Sequence, residues 1–199
     1  LNGLVAAGRL PPPRAAIRFV VWATEYHSAR AYVAREGDRL ADLAGVINLD
    51  QAGTGAEREA IYFESNDVPW NAALVGVFDA IGRAYRGRPG FWPEYATTPS
   101  QGGTDAYVFL PEAYKGEGAA DRRIPATTVY TAAWDAPARL AQTPGWEVPG
   151  APDPRTVVVD YSLYYHSSGD TPANTTERAP RGPCSAARAV VLALLRLAW

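Results

Sequence analysis

The sequence predicts an α/β domain whose mostly parallel sheet carries helices on both faces, a three-layer α/β/α arrangement, and three observations predict it. Short apolar runs alternate with stretches of helical period. Several of those runs are nearly continuous, as in strands buried on both faces. Three segments, residues 17–33 (IRFVVWATEYHSARAYV), 46–53 (VINLDQAG) and 165–171 (YHSSGDT), place a carboxylate or imidazole just past an apolar run. That is where open α/β sheets gather ligands, beyond the carboxyl ends of their strands. With 199 residues, 47% hydrophobic and 20% charged, the chain accommodates one such domain over residues 1–199 and is too short for two large ones.

Residues 1–8 read as the end of a helix. After the Pro11-Pro12-Pro13 turn, residues 17–22 form an apolar run broken only by Arg18 and read as the first strand. Residues 28–35 have helical character, which Gly37 ends. Residues 45–49 give a second buried strand, and residues 59–64 a third that alternates more clearly. Trp70, Ala73, Leu74, Val77, Phe78 and Ile81 recur at helical spacing, so residues 69–85 are predicted as an amphipathic helix with Pro69 near its start. Residues 124–131 and 156–161 give two more strands. Residues 184–199 form a closing amphipathic helix that carries Arg188 and Arg196. It falls short of the roughly 20 apolar residues that a bilayer requires, so no membrane span is expected.

Two stretches interrupt the pattern. Residues 86–103 are rich in Gly, Pro and aromatics, and residues 135–154 hold five prolines around Trp146. Ordered loops of this length tend to wall binding sites. No internal repeat is present.

A net charge of −2 directs the chain to neither nucleic acid nor an anionic membrane surface. Lys115 is the only lysine, methionine is absent and alanine is abundant, a bias expected of a GC-rich, bacterial genome. In that setting the Asn174-Thr175-Thr176 sequon carries no weight. Cys184 is the single cysteine, which excludes an intrachain disulfide and a cysteine-based zinc site. No Gly-x-Ser-x-Gly elbow occurs, so a serine α/β hydrolase is disfavoured.

Candidate functional residues sit at the strand ends. Glu25 lies three residues beyond Trp22. Asp50 ends the apolar run Val46-Ile47-Asn48-Leu49, where a charge must find a partner or stay at the rim. His166, one of two histidines, lies in Tyr165-His166-Ser167-Ser168-Gly169-Asp170-Thr171, whose Asp170 and Thr171 are expected to organise the loop.

In this order and spacing, the segments resemble the co-catalytic zinc aminopeptidase family, which includes bacterial leucyl aminopeptidases, glutaminyl cyclase and the inactive transferrin receptor ectodomain. Asn48-Leu49-Asp50 matches the run that supplies a zinc-binding aspartate, with Gln51 in place of the usual methionine. Tyr165-His166-Ser167 matches the stretch that supplies a zinc-binding histidine. Glu25 matches the general base of a Gly-Glu-Glu run, and Gly103-Thr104-Asp105 resembles a Gly-Ser-Asp-His segment near the substrate.

The chain also departs from the family. Tyr26 replaces the second glutamate, a zinc ligand, and an unperturbed tyrosine with a pKa of about 10 is a poor substitute. Ala106 replaces the histidine of the Gly-Ser-Asp-His segment. Either Glu25 itself becomes a ligand, or His27 substitutes, or that metal site is dead.

The resemblance implies a zinc-exopeptidase-like fold lacking the N-terminal part of the family domain, where the first histidine and the bridging aspartate lie. An upstream segment or a second chain would complete the site. It further implies zinc as cofactor, two ions in the family, with Asp50 and His166 as ligands, Glu25 as general base, and Asp105 and Tyr165 in the substrate pocket. The substrate would be a peptide N-terminus or a small N-acyl compound, and the setting secreted or cell-envelope. The competing expectation is a peptidase-like binding module that has lost its metals.

Overall fold

Four strands form one mixed sheet in the order β1-β4-β2-β3: β1 Val46–Leu49, β2 Ile61–Ser65, β3 Tyr95–Pro99 and β4 Ala126–Tyr130. The computed structural model describes residues 1–53, 58–65, 69–99, 104–109, 124–132, 164 and 167–199. Within it, β1 runs parallel to β4 and β2 parallel to β3, while β2 and β4 pair antiparallel. The carboxyl ends of β1 and β4 therefore share one edge of the sheet with the starts of β2 and β3. Among the described residues, four α-helices accompany the strands: α1 Asn2–Ala6, α2 His27–Glu36, α3 Ala72–Tyr85 and α4 Arg181–Leu197.

One sheet face is apolar and lies under α3 and α4. Ile61, Phe63, Tyr95 and Val129 pack there with Leu74, Phe78 and Ile81 of α3, with the buried Trp92, and with Ala186, Ala189 and Ala193 of α4. The alanines recur at helical spacing, and their small size lets α4 approach the core closely. Trp92 is satisfied inside this core by donating from Nε1 to the Gly82 carbonyl at 3.1 Å.

At the β1–β4 end, the opposite face meets a second apolar cluster. Ala29, Tyr32 and Val33 of α2 join Val108, Phe109, Ile124 and Ala126 there, with Val46 partly buried against them. Asn71, buried just before α3, accepts the Ala126 N–H on its Oδ1 at 2.8 Å. That bond ties the start of α3 to the start of β4.

The predicted elements at 28–35, 45–49, 59–64, 69–85, 124–131 and 184–199 all appear, and the 69–85 helix opens with a single 3-10 turn, Pro69–Asn71. Its buried stripe is rotated slightly from the expected one, because Val75 is buried and Ala73 exposed. Residues 17–22 are a correction. They form no strand, and Phe19 and Val21 are 85% and 95% exposed.

An apolar run becomes a buried strand only where a neighbour supplies hydrogen bonds and cover. Here the anchor is the run's one polar residue: Arg18 donates to Tyr32 Oη at 2.7 Å and to Glu36 at 3.1 Å. β3 is the converse case, a strand inside the predicted 86–103 loop. Its Thr97 and Thr98 are fully buried, so it lacks the apolar signature that sequence reading relies on. The strand expected at 156–161 and the loop at 135–154 lie outside the described residues.

Candidate functional site

β1 delivers Asp50 to the sheet edge. Asp50 is half-buried, and its N–H donates to the Val129 carbonyl at 3.3 Å, so it continues the β1–β4 ladder one residue past the strand. The chain then turns sharply. Gln51 has a φ of 46°, and its carbonyl accepts both the N–H and the Oγ1 hydroxyl of Thr131, at 3.2 and 3.1 Å. Two residues on, a Cβ at Gly53 would stand 2.6 Å from Thr176 Cγ2. The segment that follows residues 165–171 therefore docks against the segment that follows Asp50.

Asp105 begins a short 3-10 helix, Asp105–Phe109, whose Ala106, Val108 and Phe109 are buried in the cluster beside α2. Its Oδ1 accepts the Tyr26 N–H at 2.6 Å, across 79 residues of sequence. Burial holds the Asp105 carboxyl above the usual carboxylate range. The Tyr26 N–H opposes that shift, and the negative charge of Asp50 adds to it. Asp105 thus feels both the Tyr26 N–H and the charge of Asp50.

Glu25 is half-buried and stands immediately before Tyr26, whose φ of 56° and ψ of −50° are unusual for a non-glycine residue. The His27 N–H bonds the Glu25 carbonyl at 2.5 Å, which closes a γ-turn of the strained, positive-φ kind. α2 starts directly from this turn. His27 is its first residue, with an exposed side chain.

Sequence reasoning missed the polar floor beneath these groups. Asn48 of β1 is in register with Thr128 of β4, Thr128 with Glu64 of β2, and Glu64 with Thr98 of β3. All four are buried, so a polar row crosses the sheet on the face opposite α3 and α4. Asn48 Nδ2 donates to Thr104 Oγ1, and the Thr128 hydroxyl reaches the same oxygen at 3.4 Å. One row nearer the Asp50 end, Tyr62 and Tyr130 stack at 5.1 Å, and the Tyr130 hydroxyl bonds that of Thr98. The available signal was an asparagine and paired threonines inside otherwise apolar strands, since a buried polar side chain demands a partner.

Ala106, where the resembled family has a histidine, is fully buried among apolar groups. Tyr165 and His166 lie outside the described residues. In the turn after them the side chains that bond the backbone are those of Ser167, Asn174 and Thr175: Ser167 Oγ donates to Tyr164 O and accepts from Gly169 N, Asn174 Nδ2 donates to Gly169 O, and Thr175 Oγ1 donates to Thr171 O. The expected organisers, Asp170 and Thr171, enter that turn through their main chain. Among the described residues, no group of three or more His, Cys, Asp or Glu side chains is placed to hold a metal ion, and no helix is long and apolar enough to cross a membrane. No protein-family model and no curated protein matches the chain.

Proposed function

We propose that this chain is a zinc-exopeptidase-like α/β domain of a bacterial, secreted or cell-envelope metallo-aminopeptidase, acting on peptide N-termini or small N-acyl compounds. The observation that carries the reading is the position of Asp105, which accepts the Tyr26 N–H, next to Glu25 in sequence, and feels the charge of Asp50 at the carboxyl end of β1. An open α/β sheet binds its ligands at such an edge.

Asp50 has the chemistry and position of a ligand: a half-buried carboxylate at a strand end, with a second carboxylate nearby. The described residues supply oxygen donors and do not complete a zinc shell. The reading therefore requires His166 and ligands from an upstream segment or a second chain. When bound, zinc supplies an acidified water and polarises the scissile carbonyl. Glu25 would serve as the general base toward the attacking water and as the proton donor to the leaving amine. Asp50 would hold the ion at the carboxyl end of β1.

A second reading, a peptidase-like binding module without metal, is favoured by Tyr26 and Ala106, which stand where ligand and substrate-contacting residues are expected.

Elemental mass spectrometry of natively purified protein, dialysed against metal-free buffer, separates the two. About two zinc ions per chain support the enzyme, and about one supports a reduced site around Asp50 and His166. None, even after zinc is added back, sinks the enzyme and leaves the binding module.

A further inference from the structure

Tyr26 occupies a backbone conformation that an L-residue adopts only under restraint from its surroundings. The local bonds, His27 N–H to Glu25 O at 2.5 Å and the Thr24 hydroxyl to Ser28 Oγ at 3.0 Å, belong to the turn itself. From elsewhere in the fold, the Tyr26 side chain packs against the cluster beside α2, and the Asp105 carboxylate grips the Tyr26 N–H itself at 2.6 Å.

Asp105 is itself anchored. Thr104, the preceding residue, is 3% exposed, and its hydroxyl is gripped by Asn48 and Thr128, neighbours in register on β1 and β4. The residues after Asp105 are locked into the core beside α2. A continuous path of bonds thus leads from the rigid sheet floor, two residues before Asp50, through Thr104 and Asp105, to the turn that carries Glu25.

We propose that Asp105 is a positioning residue: its carboxylate holds the strained turn at Tyr26, anchored on the sheet by Thr104, Asn48 and Thr128, and so sets where Glu25 stands. Its Oδ1 is committed to the Tyr26 backbone. The consequence for catalysis rests on the proposed role of Glu25; the mechanical coupling does not.

Amide hydrogen exchange on the full chain tests the coupling without any turnover. A charge-assisted hydrogen bond corresponds to roughly 10- to 100-fold in local opening. Asp105→Ala should therefore accelerate Tyr26 N–H exchange by about that factor, while the Phe78 amide in α3 stays within about twofold of wild type. Asp105→Asn, which keeps an acceptor oxygen but loses the charge, should fall between wild type and Asp105→Ala.

Thr104→Val should loosen the same amide, and Thr104→Ser, which restores the hydroxyl, should recover it. Unchanged Tyr26 exchange in Asp105→Ala overturns the proposal. Should that variant not fold, equal exchange in Thr104→Val and Thr104→Ser overturns it instead.

With an aminoacyl anilide as substrate, positioning lowers kcat in Asp105→Ala and leaves KM near wild type. A raised KM at unchanged kcat marks amine recognition and overturns the proposal. An inactive, zinc-free wild type defeats the peptidase reading alone, because the exchange experiment needs neither metal nor substrate.

Discussion

Gly82 of α3 lies directly against the ring of Tyr95 on β3, leaving no room for a Cβ between helix and sheet. The ring cannot retreat. It is packed against Phe63, and its hydroxyl donates to the buried Asp79 at 3.2 Å. Gly82→Ala gains up to about 1 kcal/mol of helix propensity but must displace this ring, and overpacking costs about 1–3 kcal/mol, occasionally more. A net destabilisation is expected in urea unfolding. A variant more stable than wild type would show that the contact is slack.

A buried bond from the Ala126 N–H to Asn71 Oδ1 ties the start of α3 to β4. Asn71→Leu leaves that N–H without its acceptor inside the core, which costs about 1–3 kcal/mol. The unfolding midpoint should drop accordingly, and exchange at the Ala126 amide should rise above that of neighbouring β4 amides. Equal stability would mean that another acceptor takes over.

Glu25 and Asp50 are expected to fail in different ways. Glu25→Gln keeps its volume and loses the proton acceptor, so zinc content should hold while kcat falls by about 10²–10⁴. Asp50→Ala should release metal, with activity lost as a consequence. Full activity in Glu25→Gln removes it as general base, and full zinc in Asp50→Ala removes Asp50 as ligand.

The Arg18–Glu36 pair, at 3.1 Å, predicts a pH dependence. The Arg18 hydrogen bond, assisted by Arg35, holds the Glu36 carboxyl below the usual glutamate range against a smaller opposing effect of burial. A depressed folded-state pKa contributes stability above the unfolded-state value, and that stability is lost as pH falls through the folded-state value. The stability gap between wild type and Glu36→Gln should therefore be present at neutral pH and close in acid. A gap that persists or widens on acidification contradicts this assignment.

Period and composition determined which segments become elements. The apolar run before Asp50, the stripe at Leu74, Phe78 and Ile81, and the alanine face of α4 each carry enough local pattern to specify strand or helix and the face that is buried. Asp50 is legible as a candidate because a charge at the end of an apolar strand is costly without a partner, whereas Glu25 reads as a strand-end residue only through a strand at residues 17–22 that does not form. Tertiary structure decided what local pattern cannot encode.

Residues 17–22 read as a strand and are not one, because pairing requires a neighbour that no local signal reports. β3 does not read as a strand and is one, because pairing with β2 carries its threonines into the interior. The polar row of Asn48, Thr128, Glu64 and Thr98 exists only once the register of four strands is set. The bond from Tyr26 to Asp105 exists only once a chain separation of 79 residues has folded back. Hydrophobic period is a property of neighbours in sequence, whereas register, polar pairing and strain at a turn are properties of neighbours in space.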